Sequence, residues 1–206
     1  MVTNLQIQPI SFEEFLEWYP ENEKTYELIE GVIVEMLPTG SHEDISGFLI
    51  AELNLEIRKQ NLPYSIPKNC LIKPLAPRSG YLPDVAVINR EHLKNEPLWE
   101  KLSVIQNSQT VPLVIEVVSM NWRDDYGHKF VEYEAMGIIE YWIVDYRGVG
   151  AVRHIGKPKQ PTITICQLIE GEYQMEKYVK GDRLKSSIFP ELELTTDTIF
   201  QVAQLK

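Results

Sequence analysis

Asp84, Glu116 and Lys129 are the residues whose types and settings point most directly to chemistry. Asp84 heads Leu82-Pro83-Asp84-Val85-Ala86-Val87-Ile88, and Glu116 interrupts the apolar run Val111 to Val118. Lys129 follows 13 residues later, at the start of an expected helix. An ionised carboxylate buried without a partner costs several kcal/mol, so a glutamate inside a Val/Ile strand requires a cation or an open face. Two acids converging with a lysine would suit a metal-dependent hydrolytic site. Mg²⁺ is typically held by one or two carboxylates, with waters and substrate phosphate completing its octahedron. An ammonium beside it would orient a nucleophile or offset developing charge. Each residue also has a plain reading. Pro-Asp before a strand is a common turn, a glutamate on an edge strand can face solvent, and Asp125 with Lys129 reads as a weak surface ion pair.

These side chains need elements to position them. Strand alternation puts Val114, Glu116 and Val118 on one face, opposite Leu113, Ile115 and Val117. Asp84, Ala86 and Ile88 share the corresponding face of their own strand. If the two strands are neighbours, the carboxylates lie side by side, where like charges raise one pKa unless a divalent cation neutralises both. Asp124 to Met136 reads as a helix stopped by Gly137, with Asp125, Lys129 and Tyr133 on one face. Glu140 to Asp145 forms the next strand, and the order strand, helix, strand predicts a right-handed crossover in a mixed sheet.

Upstream, Ser11 and Glu14 form a capping box for a helix that Pro20 ends. Tyr26–Ile29 and Val32–Met36 flank the turn Glu30-Gly31. Glu27 and Glu30 lie in or beside this hairpin. Glu30 is first a turn residue, because Ile-Glu-Gly recurs at 169–171. Ser41 and Asp44 suggest a second capping box, opening a helix through about Gln60 with Ile45, Leu49, Leu53 and Ile57 as its buried stripe. His42 lies on that stripe near a helix N-terminus, which favours anions, although a capping or packing histidine is the alternative. Short strands are expected at Tyr64–Ser65 and Cys70–Leu75, and residues 89–110 read as a polar connection with a short helix at Pro97–Leu102. Beyond Asp145, strands at Gly148–Ile155, Thr162–Ile169 and Glu172–Val179 would extend the sheet or add a side layer.

The composition is that of an ordinary globular chain: 206 residues, 44% hydrophobic and 24% charged, a length that fits one domain. The net charge of -10 argues against non-specific adhesion to nucleic acid or anionic membrane. Cys70 and Cys166 stand outside any CxxC pattern and read as free buried thiols. Met1 to Ile10 has neither a basic nor an apolar leader region, and no run reaches the roughly 18 apolar residues of a membrane span, so a cytoplasmic location is expected. HExxH, GxSxG and a helix-opening GxGxxG are all missing. Gly150 to Gly156 with Lys157 is one residue too long for a phosphate loop, and Pro158 stands where Ser or Thr is needed. His42, His92, His128 and His154 lack zinc-ligand spacing with the cysteines.

Several pieces together carry a family resemblance: Tyr26-Glu27-Leu28-Ile29-Glu30-Gly31, Ser41-His42, Pro83-Asp84, Ile115-Glu116-Val117-Val118-Ser119, then Asp125, Lys129, Tyr133 and Gly137 to Asp145. In their order and spacing the chain resembles the Uma-type family of endonucleases, within the PD-(D/E)XK restriction-endonuclease-like superfamily. The resemblance implies an α/β (α+β mixed) fold: a mixed central sheet flanked by helices, with a β-rich C-terminal extension from about residue 146. It further implies that Asp84 and Glu116 bind Mg²⁺ or Mn²⁺, and that a lysine assists water attacking a phosphodiester; DNA is the expected substrate, with RNA left open. Val118 stands where the E-x-K motif places its lysine, so Lys129 would supply that charge from the following helix. His42, Glu30, Asp125 and Tyr133 are expected in supporting positions. Because phosphate binding rests on Lys and Arg, a homodimer cleft or a partner subunit is expected to supply the basic surface. Two alternatives stay open: a nuclease-like binding module that does not cut, and a cytoplasmic oligomer whose three charges form a structural network.

Overall fold

A computed structural model describes residues 8–22 and 24–203; most of the Met1–Ile10 segment read above lies outside them. Helix α1 (Phe12–Trp18) opens on the expected box: Ser11 Oγ accepts from the Glu14 amide at 3.2 Å, and Glu14 Oε2 accepts from the Ser11 amide at 2.7 Å. Strands β1 (Thr25–Ile29) and β2 (Val32–Met36) then pair as an antiparallel hairpin. Its turn residues, Glu30 and Gly31, both have left-handed φ, 50° and 83°, the geometry that matches the twist of the flanking strands. A Cβ at Gly31 would also meet Pro9 Cβ at 2.6 Å, so only glycine fits.

Helix α2 (Gly40–Lys59) buries Ile45, Leu49, Leu53 and Ile57, as their spacing predicts. The expected box at Ser41 and Asp44 does not form. Thr39 is the extended N-cap residue and its carbonyl takes the His42 and Glu43 amides, which leaves Ser41 inside the first turn. The remaining elements are β3 (Tyr64–Ser65), β4 (Leu71–Ile72), β5 (Val85–Asn89), α3 (Trp99–Leu102), β6 (Val104–Ile105), β7 (Leu113–Val117), α4 (Lys129–Met136), β8 (Glu140–Asp145), α5 (Val152–Ile155), β9 (Thr162–Ile169), β10 (Glu172–Tyr178) and α6 (Thr196–Val202).

A six-stranded mixed sheet, ordered β10-β9-β8-β7-β5-β3, forms the centre. Strands β7 and β8 run parallel and the other neighbours antiparallel. One face carries Val85, Val87, Leu113, Ile115 and Val117 against α2 and α6. The other carries Ala86, Ile88, Val114 and Val118 beneath Tyr133 and Met136 of α4. Covered on both sides, β7 has no need of a polar face, which explains its continuous apolar run. The hairpin β1–β2 and α1 build a smaller core, joined to the segment before β5 by paired hydrogen bonds between Leu28 and Gly80 (2.8 and 2.9 Å).

Three expectations need correction. Gly148–Ile155 is not a strand: the Asp145 carboxylate accepts the Val149 and Gly150 amides at 3.0 and 2.7 Å, turning the chain out of the sheet and into α5. Cys70–Leu75 pairs only at Leu71–Ile72, in parallel with β6, a strand hidden in the segment read as a connection. Helix α6 has no counterpart among the elements expected from the sequence. The hairpin β9–β10 does extend the sheet, through a Glu170-Gly171 turn with φ of 53° and 88° that repeats the first. Both cysteines are free and buried, and no helix among the described residues is long and apolar enough to cross a membrane.

Candidate functional site

The pairing of β5 with β7 sets Val85 opposite Ile115 and Ala86 opposite Val114. One step further along the same register brings Asp84 across from Glu116. Asp84 ends the tight Leu82-Pro83 approach, and its Oδ2 accepts from the Val117 amide at 2.6 Å and lies 3.2 Å from His42 Nε2 in an ion-pair contact. Glu116 uses both oxygens: Oε1 accepts from the Tyr133 hydroxyl at 3.0 Å, and Oε2 lies 3.0 Å from Lys129 Nζ. The same ammonium lies 2.9 Å from Glu27 Oε1 and 4.0 Å from Asp125 Oδ1. Glu27 Oε1 also accepts from the Leu82 amide at 2.9 Å, tying the hairpin to the segment that delivers Asp84. Lys129 and Glu116 are 3% exposed in their side chains and Asp84 is 15% exposed, so the cluster is closed at its lysine and opens at Asp84.

Local backbone geometry aims these groups. The helix carrying Lys129 starts with a π-helical turn over Asp124–His128, in which the Lys129 amide bonds to the Asp124 carbonyl. The Asp125 carbonyl, which that amide would take in a regular α-helix, accepts instead from the Tyr141 hydroxyl at 3.0 Å. Single π turns of this kind are frequent at functional sites, because the widened turn re-aims side chains. Sequence spacing suggested a uniform helix here; the tyrosine that stabilises the wider turn comes from β8 and is invisible to spacing. Gly137, with φ of 89°, ends the helix as expected. Tyr81, Tyr133 and Tyr141 pack edge to face at 5.6 and 5.1 Å, and Lys129 Nζ sits 5.6 Å from the Tyr81 ring centre.

The electrostatics follow from crowding. Burial raises the Glu116 carboxyl well above its ordinary range; Lys129 opposes this, while Asp84, Glu27 and Asp125 reinforce it. Burial likewise raises Glu27 against the pull of Lys129, and pushes Asp125 up to about 7. For Lys129, burial favours the neutral amine, but Glu116, Glu27, Asp125 and Asp84 outweigh it and hold the ammonium protonated. Burial lowers and Asp84 more than restores the His42 pKa, which ends raised. One ammonium thus faces four carboxylates, and the cluster is short of positive charge.

That shortage bears on metal binding. Hard carboxylate oxygens suit Mg²⁺ or Mn²⁺, and Asp84, at the open side, stands across the strand pair from the buried Glu116. Asp84 Oδ1 accepts no hydrogen bond from the described residues, unlike Oδ2. Among the described residues no three His, Cys, Asp or Glu side chains stand at metal-holding spacing, since Lys129 fills the gap between Glu27 and Glu116. The donors therefore fit a hard divalent ion at the Asp84–Glu116 pair, with the ammonium already neutralising part of the cluster.

Of the residues singled out in the sequence, Asp84, Glu116, Lys129, His42, Asp125 and Tyr133 are brought together. Glu30 is not: it occupies the hairpin turn with an exposed side chain, 3.8 Å from His128 Nδ1. Glu27 takes the inward place instead. Its signal was an acid between Tyr26 and Leu28, the same anomaly as Glu116 within β7.

A family model, Uma2, described as "Putative restriction endonuclease", matches residues 12–197. The chain belongs to the Uma2 family. A crystal structure described as a "putative nuclease belonging to DUF820", from Anabaena variabilis, is similar at a TM-score of 0.70 over 95% of this chain and 99% of that one. At 19% identity the likeness concerns the fold. No curated protein matches the sequence significantly. Every member of the cluster, from Glu27 to Tyr133, falls inside the Uma2 match. Val118, two residues beyond Glu116, is buried in the same apolar cluster as Tyr133, and the lysine that reaches Glu116 comes from α4.

Proposed function

We propose that this chain is a single-domain, divalent-metal-dependent endonuclease acting on nucleic-acid phosphodiesters, with DNA as the substrate. The observation that carries the reading is the meeting of Lys129 with Glu116 and Glu27, beside a partly exposed Asp84, in a chain of the Uma2 family. Asp84 and Glu116 would hold Mg²⁺ or Mn²⁺. When bound, the ion would supply Lewis-acid stabilisation of phosphoryl charge and a lowered pKa for attacking water.

The protein's own groups divide the remaining work. Lys129, held protonated by its four acidic neighbours, is a fixed positive charge and not a base; it orients Glu116 and offsets charge developing on the phosphate. Tyr133 fixes the second oxygen of Glu116. His42 and the Val117 amide both hold Asp84 Oδ2, which leaves Oδ1 for a ligand. Asp125, with its pKa at about 7, can hold or release a proton at its carboxylate near neutral pH.

Calorimetric titration with Mn²⁺, combined with nicking assays on plasmid, single-stranded DNA and RNA, tests the reading. Wild type should bind Mn²⁺ and nick DNA, and Asp84→Ala should lose both while remaining folded. A second reading, a structural charge network, is favoured by one fact: both oxygens of Glu116 are already engaged. Failure of the folded wild type to bind Mn²⁺ or nick any substrate would favour that network.

A further inference from the structure

An acidic chain that handles nucleic acid needs a local basic surface, and one stretch stands out. Residues 146–161 contain Arg147, Arg153, Lys157, Lys159 and His154 and not a single acid, in a chain with 30 Asp and Glu. This stretch leaves the carboxyl end of β8. The loop leaving its parallel neighbour β7, residues 118–123, brings Trp122 and Arg123 to the same end. Ligands of open sheets with parallel strands collect at that edge, where adjacent loops diverge.

The two loops meet through their side chains. Arg123 lies over the Trp122 ring at 4.6 Å. Trp122 and Tyr126 pack on His154, at 6.1 and 4.5 Å between ring centres. Arg153 Nε donates to His154 Nε2 at 3.0 Å, and Lys177 Nζ donates to the Arg153 carbonyl at 3.4 Å, adding a cation from β10. Partial burial, then the charges of Arg153 and Lys177, lower the His154 pKa, so its ring is a neutral stacking face in a positive field.

The surface is also firmly built. Asp145 spends its carboxylate on the amides of Val149 and Gly150, Lys159 Nζ donates to the Val149 carbonyl at 3.2 Å, and Gly148 lies so close to Gln160 that a Cβ would stand 2.8 Å from its carbonyl carbon. Arg123, Arg153 and Lys177 nevertheless remain exposed. Tyr126, beneath His154, directly follows Asp125 of the carboxylate cluster. Cations interleaved with aromatic rings are the pattern that holds a nucleic-acid strand, phosphates on the charges and bases on the rings.

We propose that these two loops form the strand-binding surface of the protein, with Arg123, Arg153 and Lys177 taking backbone phosphates and Trp122 and His154 stacking on bases. The proposal rests on the endonuclease reading for its substrate class, and it places the basic surface within one chain, where the sequence suggested a second subunit.

Fluorescence anisotropy with labelled 20-nucleotide DNA and RNA, single- and double-stranded, tests it in EDTA, so that cleavage plays no part. Wild type should bind with an affinity that falls as NaCl rises. The double variant Arg123→Glu/Arg153→Glu, its fold checked by circular dichroism, should bind at least about 10-fold more weakly, with a salt slope smaller by about one per lost contact. Lys59→Glu, on α2 across the sheet, should stay within about twofold of wild type, a surface charge making no phosphate contact. Binding should quench tryptophan fluorescence in wild type but not in Trp122→Phe. Equal binding by the double variant and wild type, or binding of phosphatidylserine vesicles and of no oligonucleotide, would overturn the surface; so would no binding at all. If wild type nicks DNA yet the double variant binds undiminished, the surface fails and the endonuclease reading stands. Salt-sensitive binding lost in the double variant, without nicking or Mn²⁺ uptake by wild type, supports the surface and overturns the endonuclease reading.

Discussion

Two glutamates, one on each of the parallel strands β7 and β8, are buried almost completely and live under opposite conditions. Glu140 has a full set of neutral donors. Its Oε1 accepts from Trp142 Nε1 at 2.7 Å and Ser186 Oγ at 2.6 Å, and its Oε2 accepts from the Ser187 amide and hydroxyl, both at 2.6 Å. It fastens the C-terminal segment to the sheet. Glu116 has one phenol and a share of one ammonium, with three further carboxylates close enough to raise its pKa. Glu140 pairs with Leu113 at one end of the strand pair, while Glu116, opposite Ile143, lies toward the other, where the loops diverge. A buried acid with enough donors is a structural tie. A buried acid crowded by its own kind keeps an unmet demand for positive charge, which a ligand can meet.

The contrast can be broken by mutation. The largest expected effect belongs to Lys129→Met, which strands two carboxylates in the interior and should cost about 3–5 kcal/mol in urea unfolding at pH 8. Much of that loss should return at pH 5, where Glu116 and Glu27, with their raised pKa values, take up protons. If Lys129→Met is as stable as wild type at both pH values, the crowding argument is wrong.

Next come the glutamates themselves. Glu140→Ala orphans its donors and should cost about 3 kcal/mol, with Mn²⁺ binding intact. Glu116→Gln keeps its shape and relieves repulsion, so stability should change by about 1 kcal/mol or less while calorimetric Mn²⁺ binding is lost. The reverse pattern would exchange the roles assigned to the two residues.

A smaller effect should appear in the pH dependence of stability. The Asp125 pKa is raised on folding to about 7, so the folded state holds its proton more tightly than the unfolded chain. Its contribution is fully present below the unfolded value of about 3.9 and is lost as pH rises through about 7. Asp125→Asn should therefore flatten the decline of unfolding free energy across that window. Equal slopes in wild type and variant would remove Asp125 from the coupled cluster. The smallest effect is that of Tyr133→Phe, which deletes one hydrogen bond to Glu116 and should cost about 1 kcal/mol by thermal unfolding, with Lys129 still in place.

The opposed acids Asp84 and Glu116 were legible because strand alternation is strictly two-fold and an acid among Val and Ile is conspicuous. Tyr133 and Asp125 were legible from helical spacing to Lys129. Glu27 carried the same conspicuous signal, yet Glu30 was preferred beside it. In a two-residue turn the first turn position projects to solvent, whereas the strand residue three places earlier faces inward. Gly148–Ile155 misled for a related reason: its Val and Ile residues suit a strand, but the Asp145 carboxylate captures the amides that a ladder would need.

By itself, the sequence determined the mixed sheet, both tight Glu-Gly turns, the buried stripe of α2 and the shared helical face of Asp125, Lys129 and Tyr133. These follow from periodicity and backbone preference, which act over a few residues. Only the tertiary structure decided that Glu27 joins Glu116 on Lys129, that Tyr141 supports a π turn beneath Asp125, and that Glu140 is a tie and not a site. Each of those outcomes depends on which distant donors reach a buried carboxylate, and that is fixed only when the chain packs.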